Sequence, residues 1–337
     1  MRLGIVGCGA VGARAARQVL ASDAVEQLVV CDTRHDKAVT LARSLGERAT
    51  VVRDVRDAVV DGVVLACDST AQFTLARDSV ARGRFVVSTS DSLEEVRLLQ
   101  TLDAAATDRG VAVVLGAGFA PGLTCVLANL GRQWFDEVDE IHIAKVGTGG
   151  PSCARTHHRA FRGQALDWRD GAWIQRRGGS GRELCWFPDP VGGRDCYRAS
   201  LADTLLLVGA FPHVRRVSAR VGATRRDRLT MQLPMLTPPH PDGGVGAVRV
   251  ELRGRIGTAT RVVVLGAIDR PGVAAGAVAA QASLWILDGR LARTGAVGLA
   301  EAVEAKPFLR ELVTRGVKAA IFDGAPRVHA LPQPSPR

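Results

Sequence analysis

The stretch Leu3 to Gln18, LGIVGCGAVGARAARQ, constrains the fold more than any other, because it joins an apolar strand to a helix through a turn of spaced glycines. Gly7, Gly9 and Gly12 set the GxGxxG spacing, which gives a tight turn, lets bare backbone approach a pyrophosphate, and packs helix closely on strand. Ala10 and Val11 open the helix, whose free N–H groups then point at a phosphate. Such a turn binds a dinucleotide when a second strand ends in an acid about 20 residues on. Gln27 to Cys31 is that strand and Asp32 that acid, placed to accept the hydroxyls of an adenosine ribose. Arg34, two residues later, can instead pair with a 2′-phosphate. The expected cofactor is NAD(P)H, with NAD favoured over NADP.

Further strand and helix signals alternate without long gaps. Helices are expected at Asp36 to Leu45, Ala71 to Arg82 and Leu93 to Arg109, and strands at Ala49 to Val52, Gly62 to Cys67, Phe85 to Thr89 and Val111 to Leu115. The run GVVLAC at 62–67 reads as a central strand buried on both faces. Asp68, Ser69 and Thr70 follow its carboxyl end, where ligands of open α/β sheets bind; they are expected on the nicotinamide side, although Ser69 or Thr70 alone reads equally as a helix cap. The fold class is α/β, a Rossmann-type doubly wound parallel sheet with a second α+β domain on a mixed or antiparallel sheet.

At Gly116 to Thr124, GAGFAPGLT, a glycine-rich turn with Gly118 at its centre leads through Pro121 into a helix. Together with the first glycine turn, the strand ending at Cys67, Gly295 to Glu301 (GAVGLAE) and Phe308 to Gly316 (FLRELVTRG), this stretch resembles the saccharopine dehydrogenase family. The resemblance implies a cofactor domain over 1–122, completed by closing helices within about 270–324, and a substrate and dimerisation domain over 123–269. It also implies hydride transfer to or from a carbon bearing nitrogen, in an amino or imino acid or a secondary amine.

Within the second domain, strands are expected at Glu140 to Val146, Val214 to Val221, Arg228 to Leu233, Gly246 to Arg253 and Thr260 to Ile268, with a turn at Asp170-Gly171; a helix over Pro271 to Leu287 then opens the closing section. Pro234 to Gly244 reads as an exposed loop, a lid or dimer contact, and 325–337 as a disordered tail. Lys145 to Arg162, KVGTGGPSCARTHHRAFR, is the most unusual polar stretch. Lys145, His157 and His158 are the candidate proton donors, and Gly150, Ser152, Arg155 and Arg162 the candidate substrate contacts, because a glycine turn offers N–H groups and arginine pairs bidentately with a carboxylate. Arg194 is a further candidate from the GGRDCYR segment, whereas Trp186, Phe187 and Tyr197 read rather as packing or oligomer contacts. Lys145 with Pro151-Ser152 is also similar to the substrate loop of dihydrodipicolinate reductases, a second imine-reducing family. A binding protein that senses NAD(P) without turnover is the alternative of a different class, and the density of donors in this loop speaks against it.

The chain carries a net charge of +10, but arginines are spread through every segment and aromatics are only 4% of residues, so neither nucleic acid nor a membrane is an expected partner. A small-molecule substrate, a homodimer and a cytoplasmic location are expected. The seven cysteines, none in a CxxC pair, suit reduced buried thiols; Cys153 and Cys196, in polar stretches, are set apart. No metal site is expected, since adjacent histidines lack the HxxxH spacing of a zinc pair.

Overall fold

A computed structural model describes residues 1–235, 240 and 243–322. The expected tail at 325–337, and most of the loop at 234–244, lie outside these residues. The first half runs β1 (Arg2–Val6), α1 (Ala10–Leu20), β2 (Gln27–Cys31), α2 (His35–Leu45), β3 (Ala49–Val51), β4 (Gly62–Leu65), α3 (Ser69–Ala81), β5 (Phe85–Ser88), α4 (Leu93–Gln100), α5 (Asp103–Asp108) and β6 (Ala112–Leu115). The helix expected over 93–109 is therefore two. Thr101 turns its hydroxyl onto the Leu98 carbonyl and Leu102 drops into the core, which tightens the chain between α4 and α5.

The second half runs α6 (Leu123–Arg132), β7 (Glu137–Val146), α7 (Pro151–Ala160), β8 (Gln164–Arg169), β9 (Ala172–Arg177), β10 (Glu183–Trp186), β11 (Gly193–Arg198), α8 (Asp203–Ala210), β12 (Arg216–Gly222), α9 (Arg225–Thr230), β13 (Gly246–Ile256) and β14 (Ala259–Asp269). It closes with α10 (Pro271–Leu287), β15 (Gly295–Gly298), α11 (Leu299–Ala302), α12 (Ala305–Thr314) and β16 (Lys318–Phe322). Arg228 to Leu233, expected as a strand, belongs instead to α9 and the turn after it: Thr224 and Asp227 form a reciprocal capping box, which nucleates a helix. The segment Gly295 to Glu301, expected in the closing helices, begins with a strand.

Two sheets result. The first is parallel, in the order β15-β6-β5-β4-β1-β2-β3, and its inner strands are buried throughout, which explains their near-continuous apolar runs. The second is mixed: β10-β11-β12-β7-β13-β14-β16, with the hairpin β8–β9 attached to β12. The Asp170-Gly171 turn closes that hairpin with both residues at positive φ, as a two-residue turn of this hand requires. Helix α6, buried along most of its length, packs on β13, β14 and β7 and so links the second sheet to α11 and α12. Helix α10 lies against α1, with Gly276 facing the Val11 carbonyl, so the end of the chain braces the glycine-turn helix. No helix among the described residues is long and apolar enough to cross a membrane.

A candidate dinucleotide and proton-transfer site

The carboxyl ends of the parallel strands open onto a groove between the two sheets. At its centre the glycine turn obeys hard steric limits. A Cβ on Gly12 would lie 1.8 Å from the Gly7 carbonyl oxygen, and Gly7 itself has a φ of 95° with the Ala66 backbone against it. Gly9 differs: a Cβ there meets nothing within 4 Å, so the space above it is open to a ligand. Helix α1 starts at this point with no side-chain cap, leaving its first amides and positive dipole end free. Open space over an uncapped helix fits a pyrophosphate.

Asp32 lies beside it, its two carboxylate oxygens accepting the amides of Cys8 (2.7 Å) and Arg34 (2.8 Å). These bonds fix the carboxylate at the end of β2 and leave lone pairs for ribose hydroxyls. A cavity of about 550 Å³ extends from Gly7 and Gly9 past Asp32 and Arg34 to Arg53 and Asp68. Lys37, which sequence reasoning passed over, lines this cavity and the next one; its signal was a rare lysine in the first turn of α2, close behind Asp32.

The second cavity, about 210 Å³, adjoins the first at Gly9, Ala66, Cys67, Ser152 and Arg155. Ala10, Val11 and Gly118 line it, as do Gly150 and Ser152 at the start of α7. Helix α7 begins with Pro151 behind Gly150 and has no side-chain cap. Its free first-turn amides, with the exposed Arg155 guanidinium at the rim, suit a carboxylate. The Ser152 hydroxyl donates to Asp68 (3.2 Å), tying the second domain to the first across the groove. Burial works against the charge on Asp68, but bonds from Thr70 and Ser152 outweigh it and hold the carboxyl below its usual range. Asp68 is the cap of α3, taking both the amide and the hydroxyl of Thr70, so Thr70 serves the helix end and points to solvent; Ser69 begins the helix.

The floor of the second cavity holds the main chemical feature. Lys145, on β7 and 4% exposed, donates to Asp91 Oδ2 (3.3 Å) and to the Ala120 carbonyl (3.1 Å). An ammonium has three protons, so one N–H remains for the cavity that Lys145 lines. Burial alone would weaken its hold on the proton, but the facing carboxylate of Asp91 more than compensates, and the pKa is raised. Cys153 sits 4.0 Å from the same Asp91 oxygen; burial and that carboxylate push its thiol up to about 11, so it is a neutral wall rather than a nucleophile.

Asp91 lies just before α4, whose capping falls to Ser92, the side chain of which accepts the Glu95 amide. Asp91 is free to face Lys145, a pairing between residues 54 positions apart that no local pattern announces. Pro121 departs from expectation too: its peptide with Ala120 is cis and it precedes the Gly122 cap, outside the first turn of α6.

Other candidates lie away from both cavities. His157 packs its ring on Phe161, with centroids 5.5 Å apart, and its Nδ1 is sealed without a partner. His158 and Arg162 bind the Leu233 carbonyl, and Arg162 also the Met231 carbonyl, so this pair ties the segment after α9 to α7. Arg194 is exposed on β11 and bonds its neighbour's carbonyl. Cys196, set apart in the sequence for its polar surroundings, is fully buried beside Cys185 in a small apolar cluster under the β10–β11 hairpin. Of the aromatic trio, Phe187 and Tyr197 are buried in packing, while Trp186 is 65% exposed.

His157 gives a pH prediction for stability. Burial, with the Lys145 charge behind it, drives its pKa down to about 3 from 6.5. Between those values the unfolded chain binds a proton that the folded chain refuses, so stability falls as the pH falls through this window and the loss is complete below about 3. In urea titrations, wild type should lose about 2 kcal/mol more than His157→Leu between pH 7 and pH 5. Equal losses would contradict the buried neutral imidazole.

Residues 2–92 match a family described as NADP oxidoreductase coenzyme F420-dependent. No curated protein matches the chain. Among solved structures, saccharopine dehydrogenase (L-Glu forming) from Saccharomyces cerevisiae is similar over 95% of this chain and 99% of its own, with a TM-score of 0.71 and 15% identity. A probable dehydrogenase from Thermotoga maritima is similar over 94% of this chain and 95% of its own, with a TM-score of 0.50 and 10% identity. The chain has the fold of saccharopine dehydrogenase, a parallel sheet followed by a mixed one.

Proposed function

We propose that this protein is an NAD(P)-dependent oxidoreductase acting at a carbon–nitrogen bond, CH–NH or C=N, of an amino or imino acid or a secondary amine, with Lys145 as its proton donor. The observation that carries the proposal is the buried Lys145–Asp91 pair on the floor of a cavity that opens directly into the groove over α1. A bound nicotinamide would supply the hydride. Gly9 and the first amides of α1 would hold its pyrophosphate, and Asp32 its adenosine ribose.

The remaining work falls to side chains of this chain. Arg155 and the first-turn amides of α7 fix a substrate carboxylate. Lys145, anchored by Asp91 and the Ala120 carbonyl, directs its third N–H into the cavity and gives a proton to the substrate nitrogen during reduction, or takes one during oxidation. The closed floor, with Lys145 and Phe119 both nearly inaccessible, keeps water from competing for that proton.

Asp32 makes the cofactor choice testable. A ribose diol on this carboxylate gains charge-assisted hydrogen bonds worth about 1.5–3 kcal/mol, whereas a 2′-phosphate would be repelled by it and drawn to Arg34, Lys37 and Arg53. We infer that the carboxylate prevails and NAD is preferred. Asp32→Ala should weaken NADH by roughly tenfold or more and weaken NADPH less, or even improve it, in fluorescence titrations. An equal loss for both would contradict the role. Absorbance at the nicotinamide band, followed with panels of 2-oxo acid plus amine pairs, tests the reaction class; oxidation of NAD(P)H only by simple ketones would contradict it.

A further inference from the structure

Behind the Lys145–Asp91 pair lies a second carboxyl that the proposed chemistry does not use. Asp203, at the start of α8, is fully buried. A single bridge between Ser92 and Leu201 brings the start of α8 beside the segment carrying Asp91. Asp203 has one hydrogen-bond partner, the hydroxyl of Thr124 on α6, 2.6 Å from Oδ1; its Oδ2 has none and is sealed from solvent. The interior thus holds one ammonium and two carboxyl groups. Leaving both carboxyls ionised would bury a net negative charge, and a carboxylate oxygen with no donor is among the costliest groups to bury. Asp91 is met by the Lys145 ammonium and keeps 19% of its side chain in solvent, so it carries the charge. The proton belongs on Asp203, where a carbonyl oxygen without a partner costs far less than half a carboxylate.

We propose that Asp203 is a neutral carboxylic acid at physiological pH and a positioning residue for Lys145: by staying uncharged, it leaves the ammonium facing one carboxylate rather than two, so that the proton can be released to a substrate. Every ionisable neighbour agrees with this. Lys145 on β7 is matched by Asp91, Cys125 on α6 is a thiol that burial pushes up to about 12, and Glu301 on α11 lies at the far end of α8 beside Gly209. Burial raises the Asp203 pKa, and the Lys145 charge and the Thr124 bond, which oppose it, do not outweigh it. The role rests on Lys145 as the proposed donor, but the protonation of Asp203 is measured on the chain without cofactor or substrate, so it stands or falls independently of any turnover.

Infrared spectroscopy of the full chain at pH 7 should show the C=O stretch of a protonated carboxyl that is lost in Asp203→Asn and shifted in Thr124→Val, where its hydrogen-bond partner is gone. In parallel, the pH at which Lys145 loses its proton, read from its rate of labelling by an amine-reactive anhydride, should be unchanged in Asp203→Asn. An ionised carboxylate at this place would instead make the Lys145 midpoint fall by about one unit or more when removed. That fall, or a protonated-carboxyl band untouched by both substitutions, overturns the proposal. Should Asp203→Asn fail to fold, Thr124→Val alone decides, since a band that does not move in it belongs to another residue.

Discussion

Gly12→Ala is expected to abolish NAD(P)H binding: with its Cβ built 1.8 Å from the Gly7 carbonyl, the residue cannot be accommodated without moving α1 away from the end of β1. The neighbouring atoms are backbone, so no side chain can rotate out of the way, and overpacking of this kind costs about 1–3 kcal/mol or more before any ligand is considered. The displaced helix would also withdraw the amides and dipole end proposed to hold the pyrophosphate. The dissociation constant for NADH is expected to rise by roughly 100-fold or more, a loss of about 2.7 kcal/mol. Gly9→Ala is the informative control, because its Cβ meets no protein atom and obstructs only what lies in the groove. It should leave the melting temperature near that of wild type and still weaken NADH. Wild-type affinity in Gly12→Ala would contradict the steric account, and wild-type affinity in Gly9→Ala would place the dinucleotide elsewhere.

Lys145→Met removes the proposed proton donor and keeps the length of the side chain. Turnover should fall by about 10²–10⁴-fold, the range for losing a positioned acid–base group, while the dissociation constant for NADH changes little. The fold also suffers, since Asp91 is left as a largely buried carboxylate without its counter-ion. The double variant Lys145→Met/Asp91→Asn removes that unpaired charge and should recover most of the lost stability without recovering turnover. Activity and stability thereby separate, which a purely structural ion pair would not allow. Because the Lys145 pKa is raised, its contribution to stability is complete below the ordinary lysine value of 10.5 and is lost as the pH rises through the higher folded value. The reductive rate should hold into the same alkaline range before it declines.

How legible these features were in the sequence depended on how local their causes are. Gly7, Gly9, Gly12 and Asp32 act through a strand, a turn and a helix start that are contiguous in the chain, and the glycine spacing alone announces them. The buried parallel strands are equally plain, because a strand covered on both faces can carry little but Val, Leu and Ala. By contrast β15, GAVG, is a four-residue edge strand flanked by glycine; it is a strand because β6 offers it an edge, and its own residues have no such preference. Likewise α9 rests on one capping box, which outweighs the alternation of RLTMQL. The site divides in the same way. Lys145 stood out as one of very few lysines in an apolar strand, but Asp91 acquires its meaning only from a partner brought to it by the second sheet. His157 and His158 drew attention as ring nitrogens in a polar stretch. On α7 neither faces the groove: one ring is taken up by Phe161 and the other by the Leu233 carbonyl.

In the proposed complex a dinucleotide lies in the groove over α1 with its reactive end above Lys145. Fluorescence titration of the wild-type chain with NADH and NADPH, repeated with Gly12→Ala, tests this most directly. Saturable binding of at least one cofactor near one per chain, abolished by the substitution, is the predicted result. Failure of both cofactors to saturate the wild-type chain, or binding that Gly12→Ala leaves intact, would contradict it.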